Sequence, residues 1–200
     1  MKKILVILGT RPEAIKLAPV ILELRKSYKV LVCNTEQQKE LSNQALGFFG
    51  ILADFNLNIM QDNQGLCDTQ ARILNAIVDI FKTAKIDACV VQGDTLSAFC
   101  GALASFYNKI PLFYVESGLR SYDLFEPYPE EALRQMIARI ATLHFAPTDS
   151  AKRALIKENI NKNIFVVGNT GIDALFSLNK EAILDAEKFL ESLHTHTHTQ

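Results

Sequence analysis

The sequence predicts an α/β fold: a Rossmann-like, doubly wound parallel sheet. Two observations carry this. Short runs of branched apolar residues alternate with longer amphipathic stretches along the chain, the pattern of strands joined by crossover helices. Polar turns, most of them glycine-containing, recur where an apolar run hands over to a helical stretch. In a sheet with right-handed crossovers, such turns gather along one edge.

The run at 3–8 is too short for a helix and rich in branched side chains, so it reads as a buried strand. Gly9 permits a tight turn, and Thr10 can cap the helix that Pro12 opens, because proline has no amide hydrogen to lose in a first turn. That helix is expected near 12–26. A strand at 29–33 then precedes a helix near 37–49. A helix near 66–83 leads into a strand at 88–92, and one near 95–107 into a strand at 112–115. The series ends with a helix near 130–142, a strand at 144–146, a helix near 150–159 and a strand at 164–167.

Composition sets bounds on function. The 200 residues are 48% apolar and 22% charged, ordinary for a globular domain. A net charge of -1 gives no overall attraction to nucleic acid or an anionic membrane, so neither is expected as a partner. The four cysteines, Cys33, Cys67, Cys89 and Cys100, form no CxxC pair and no zinc-like spacing. They read as reduced residues of a cytoplasmic protein, three of them in or beside apolar runs. Met1-Lys2-Lys3 resembles the start of a signal peptide, but the apolar run after it is broken at Gly9-Thr10-Arg11 and carries no cleavage pattern. No segment reaches transmembrane length, and no metal-ligand cluster is visible.

The strand ends hold the chemistry. Arg11 and Lys16 place two cations where the first strand meets its helix, and the amides of the first helical turn are expected to point at a cleft beside Arg11. The same loop, taken alone, fits a surface turn with two solvated cations equally well. Further on come Gly93-Asp94-Thr95, then Glu116-Ser117-Gly118-Leu119-Arg120, then Pro127-Tyr128-Pro129-Glu130-Glu131 and Val167-Gly168-Asn169-Thr170. Asp94, Glu116 and Glu130 can therefore converge on one crevice, and grouped carboxylates suit proton transfer. Two of them have a specific structural alternative: Asp94 as a cap of the helix starting at Thr95, Glu130 as a complement to a helix N-terminus after Pro129.

Read together, GTRPEAIKLAP (9–19), QGDT (92–95), VESGLRS (115–121), PEE (129–131), FAPT (145–148) and VGNTGID (167–173) resemble, in order and spacing, the non-hydrolysing UDP-N-acetylglucosamine 2-epimerases. The likeness runs to about Leu175. That family is similar in fold to two-domain glycosyltransferases of the GT-B type, and the chain resembles the N-terminal domain. The resemblance implies an isomerase that eliminates UDP from UDP-N-acetylglucosamine to give 2-acetamidoglucal. UDP then adds back with inversion at C2, giving UDP-N-acetylmannosamine. Neither a cofactor nor a metal is implied.

By the same resemblance Asp94, Glu116 and Glu130 are the catalytic candidates, and Arg11, Lys16, Asp94 and Glu116 would bind the UDP-sugar. Full-length members are expected to be homodimers serving surface polysaccharide synthesis. Two other functions stay open: a non-catalytic nucleotide-sugar binding module, and part of a hydrolysing epimerase or of a glycosyltransferase. The Glu116 and Glu130 loops speak against the glycosyltransferase.

Three stretches depart from the family pattern. Thr35-Glu36-Gln37-Gln38 stands where Thr-Gly-Gln-His is usual, Tyr114 replaces a histidine before Val115-Glu116, and Leu133 replaces an asparagine before Arg134. Impairment and drift are both compatible with them. Family members are roughly twice as long, so the expectation is a truncated copy with little activity alone. Its domain is expected at 1–176, with an additional helix or linker at 177–193 and a disordered His/Thr tail at 194–200. The codons of His194 to Thr199, CAC and ACA, can both be read from a CA-repeat tract, which suggests a frameshift remnant. A weak metal-chelating tail and a cloning remnant are the alternatives.

Overall fold

The computed structural model describes residues 1–59 and 65–177. Its strands are β1 (Lys3–Leu8), β2 (Lys29–Asn34), β3 (Phe55–Asn56), β4 (Ala88–Gln92), β5 (Leu112–Val115), β6 (Leu143–Ala146) and β7 (Ile164–Val166). Its helices are α1 (Arg11–Arg25), α2 (Lys39–Phe48), α3 (Leu66–Ala84), α4 (Leu96–Tyr107), α5 (Glu130–Ile140), α6 (Asp149–Lys157) and α7 (Thr170–Phe176). The strands form one sheet in the order β3-β2-β1-β4-β5-β6-β7, every pairing parallel. This is the Rossmann-like, doubly wound sheet expected, with its order reversing between β1 and β4. At such a switch point two neighbouring crossovers diverge to opposite faces and leave a crevice above the strand ends.

The central strands β1 and β4 are apolar on both sides because helices cover both faces there. In β1, Leu5 and Ile7 enter one core with Ile73, Ile77 and Phe81 of α3 and Phe99 of α4. Ile4, Val6 and Leu8 enter the other, against Ala14, Leu17, Ala18 and Ile21 of α1, residues spaced as one stripe of a helix. Cys33, Cys89 and Cys100 are buried and Cys67 is exposed. Burial pushes the Cys89 and Cys100 thiols up to about 12. Among the described residues no helix is long and apolar enough to cross a membrane.

Two elements depart from the expectation. β3 has two residues, too few for any periodicity to announce. The residues after β7 read in the sequence only as a polar strand end, yet they form α7, capped by the Asn169 side chain, which accepts from the Gly171 amide at 2.9 Å. The expected helix or linker at 177–193, beyond Ser177, and the tail at 194–200 lie outside the described residues.

Candidate active site

Gly9 sits at the switch point. A β-carbon there would stand 2.2 Å from Thr35 Oγ1 and 2.3 Å from Ser97 Oγ, so glycine is required by close approach rather than by its backbone angles. Thr10 caps α1 as expected, and Glu13 completes a capping box. Buried, Glu13 accepts from the Gly9 amide at 3.0 Å, the Thr10 amide at 2.9 Å, the Thr10 hydroxyl at 2.8 Å and the Thr95 hydroxyl at 2.6 Å. Burial pushes its carboxyl upward, and these donors oppose the shift. The Arg11 amide donates to Gln38 Oε1 at 3.1 Å. The first-turn amides expected to face a ligand are thus largely satisfied within the chain. Arg11 itself is exposed, beside Phe48 and Leu175 in a cavity of about 390 Å³.

Lys16, one turn further along α1, reaches the carboxylates. Its Nζ donates to Glu116 Oε1 at 2.7 Å and Oε2 at 2.8 Å. Gln92, the last residue of β4, donates its amide to the same Glu116. Glu116 follows β5 with φ 64, a left-handed conformation that non-glycine residues hold only when their surroundings enforce it. The carboxylate lies over Gly93, whose missing β-carbon would be 4.0 Å from Glu116 Oε2. Asp94, next in the chain, is ion-paired with Arg134 Nη2 of α5. Asp94 is not a cap: Thr95 performs that role, accepting from the Ala98 amide at 3.0 Å. Glu130 opens α5, half-buried, with no side-chain hydrogen bond among the described residues.

The neighbouring Glu131 behaves differently. Fully buried, it accepts from the Ser121 amide at 3.0 Å, the Tyr122 amide at 3.2 Å and Gln135 Nε2 at 2.8 Å, with Arg134 Nη1 at 3.5 Å. Burial pushes its carboxyl up, but these donors outweigh it and hold Glu131 below the usual range. It ties the loop after β5 to α5. Behind that loop, Ser117 Oγ lies 3.0 Å from His144 Nδ1, both buried. Burial, with Arg120 nearby, pushes His144 down to about 4.

The departures now have positions. Gln38, where histidine is usual, accepts from the Arg11 amide. Tyr114 is buried, and its hydroxyl donates to the Gly93 carbonyl at 2.8 Å, bracing the turn that carries Asp94. Leu133 points into the core. Glu36 has φ 63 where glycine is usual, and its buried carboxylate accepts from the Asn58 amide at 3.0 Å and from Asn43 Nδ2 at 3.3 Å.

Of the residues picked from sequence, Asp94 and Glu116 follow adjacent strands, Lys16 of α1 reaches Glu116, Glu130 opens the helix that supplies Arg134, and Arg11 stands apart from the ion pairs. Sequence reading missed Gln92 and Arg134 as site members and Glu131 as a clamp. Gln92 lay inside the QGDT motif, and Arg134 follows Glu130 by four residues, the spacing that places two side chains on one helix face.

The family described as UDP-N-acetylglucosamine 2-epimerase matches residues 21–199. A curated UDP-N-acetylglucosamine 2-epimerase of Neisseria meningitidis is 45% identical over 193 residues, 94% of this chain and 52% of that protein. The chain spans about half the length of the curated relatives it matches. The crystal structure of UDP-GlcNAc 2-epimerase from the same species bound to UDP-GlcNAc aligns with a TM-score of 0.84 at 46% identity, covering 88% of this chain and 48% of that one. MurG of Acinetobacter baumannii shares the fold alone, with a TM-score of 0.57 at 14% identity over 75% of this chain and 43% of MurG. These neighbours are of the GT-B type, and the present sheet corresponds to one half of that fold.

Proposed function

Because the chain belongs to the UDP-N-acetylglucosamine 2-epimerase family, we propose that it forms the N-terminal wall of an active site that interconverts UDP-N-acetylglucosamine and UDP-N-acetylmannosamine. One observation supports this above the others: at the neighbouring ends of β4 and β5, Gln92 and Glu116 pair with Lys16 of α1, and Asp94 pairs with Arg134 of α5. Elimination removes the C2 proton and breaks the C1–O bond, releasing UDP and 2-acetamidoglucal. Re-addition returns UDP to C1 and a proton to the opposite face of C2. Asp94, Glu116 and Glu130 are the proton carriers in this reading, and Lys16 with Arg11 meets the diphosphate, where negative charge grows as the C1–O bond breaks.

The 200 residues by themselves offer one wall, so they neither exclude water nor hold both fragments for return. Little or no turnover is expected from them alone. Homodimerisation and a cytoplasmic setting belong to the same proposal. The test is to incubate the chain with UDP-N-acetylglucosamine in heavy water and follow deuterium at C2 by NMR, with UDP binding measured in parallel. Binding without exchange is the expected result and fits a nucleotide-sugar binding wall. Exchange by the chain alone would overturn the one-wall reading, and failure to bind UDP would overturn the site.

A further inference from the structure

Ser117 and His144 form a buried polar pair that the proposed reaction leaves unused. Ser117 is 0% exposed and His144 2%, and Ser117 Oγ lies 3.0 Å from His144 Nδ1. A serine beside an imidazole can be an activated nucleophile, but neither side chain here is open to a substrate. Their place in the fold points to a different task. Ser117 directly follows Glu116, and His144 lies on β6 in register with Tyr114 of β5.

Glu116 is bracketed by contacts to β6. Before it, Val115 is in register with Phe145; after it, the Ser117 amide donates to the Phe145 carbonyl at 3.1 Å. Between these two points Glu116 turns at φ 64, a backbone state that its surroundings must enforce. Three ties behind the loop do so. Ser117 is joined to His144. Gly118, at φ 97, approaches α6 so closely that a β-carbon would stand 2.3 Å from the Ala151 carbonyl oxygen. Arg120, with its side chain 1% exposed, donates from Nε to Glu158 Oε1 at 2.7 Å and from Nη2 to Oε2 at 2.8 Å. The His144 tie is the one adjacent to Glu116. Because burial leaves the ring neutral at pH 7, it can bond the hydroxyl in either tautomer.

We propose that Ser117 and His144 are positioning residues: their hydrogen bond holds the Glu116 backbone in its left-handed turn and so fixes the carboxylate where a UDP-sugar meets it. Neither residue touches the ligand. The proposal rests on the reading of Glu116 as a carboxylate that acts at the sugar.

The test measures, by calorimetry on the full 200-residue chain, affinity for UDP-N-acetylglucosamine and for UDP. Ser117→Ala and His144→Leu are each expected to weaken UDP-N-acetylglucosamine about fivefold or more and UDP less than about twofold, because only the sugar meets Glu116. His144→Asn, whose side-chain amide replaces Nδ1 in the bond, is expected to stay within about twofold of the parent for both ligands. Once Glu116→Gly has removed the carboxylate and relaxed the turn, adding Ser117→Ala is expected to cost less than about twofold more. Equal weakening of both ligands would make the pair merely structural and overturn the proposal. So would unchanged binding in Ser117→Ala and His144→Leu, or a Ser117→Ala effect that is the same with and without Glu116. If Ser117→Ala does not fold, His144→Leu against His144→Asn decides on the same terms, and failure of His144→Asn to restore binding overturns the proposal. A parent chain that fails to bind UDP-N-acetylglucosamine would overturn the site reading as well, whereas a parent that binds it beside variants that bind equally well overturns the positioning role alone.

Discussion

Glu131 and Glu116 are both glutamates packed close to β5, and both are ringed by donors, yet they belong to different kinds of region. The donors to Glu131 include two backbone amides, of Ser121 and Tyr122, which cannot leave without unfolding the loop. The donors to Glu116 are the side chains of Lys16 and Gln92. Lysine's ammonium rides on a flexible stem, so it can be reassigned to an incoming phosphate while the backbone stays put. The Lys16 side chain is 29% exposed and that of Glu116 14%, against 0% for Glu131. A carboxylate held by main chain is part of the fold; one held by mobile side chains is available to a ligand.

The strongest attempt to break this contrast is Glu131→Ala. It leaves the Ser121 and Tyr122 amides and the Gln135 side chain without their acceptor and Arg134 with Asp94 alone, and the expected loss is about 3 kcal/mol or more, read from the urea midpoint. A loss under about 1 kcal/mol would mean that Glu131 is no clamp.

Acid should act next. His144 is pushed down from 6.5 to about 4, so the unfolded chain takes up a proton before the folded one does. Its contribution to stability is whole above pH 6.5, fades on acidification and is gone by about pH 4, amounting at most to about 3 kcal/mol. Glu131, held below its ordinary 4.5, adds a second loss as pH falls through its folded value. Thermal melts from pH 7.5 to 4 should show the first phase in the parent and not in His144→Gln. An identical slope in both would remove His144 as the cause.

The smallest stability effect belongs to the site. Lys16→Met is expected to change stability by less than about 1 kcal/mol, since a partly exposed ion pair contributes little, while UDP binding weakens about tenfold or more by calorimetry. A stability loss comparable with that of Glu131→Ala would make Lys16–Glu116 a second clamp and erase the contrast.

Legibility in the sequence divides along the same line. The strands β1, β4 and β5 announce themselves as apolar runs because both their faces are buried, and the polar residues just after them do gather at one sheet edge, as the sequence predicts. The side chains that finish the site are not legible. Gln38 reaches the Arg11 amide across 27 positions and Arg134 reaches Asp94 across 40, distances at which no local pattern operates. Glu131 reads as the lesser member of its motif because its partners, the Ser121 and Tyr122 amides, turn toward it only once the loop has folded. Tyr114 and Leu133 read in the sequence only as departures from a pattern; in the fold one braces the turn before Asp94 and the other fills the core.

Gly9 also fixes a tolerance. The Thr35 and Ser97 hydroxyls pair with each other at 2.6 Å, beneath the spot where any larger residue would put its first carbon. Three chain segments distant in sequence therefore meet with less than one methyl group of clearance. How closely β1, the turn after β2 and the start of α4 approach at the switch point is set by an atom that is not there.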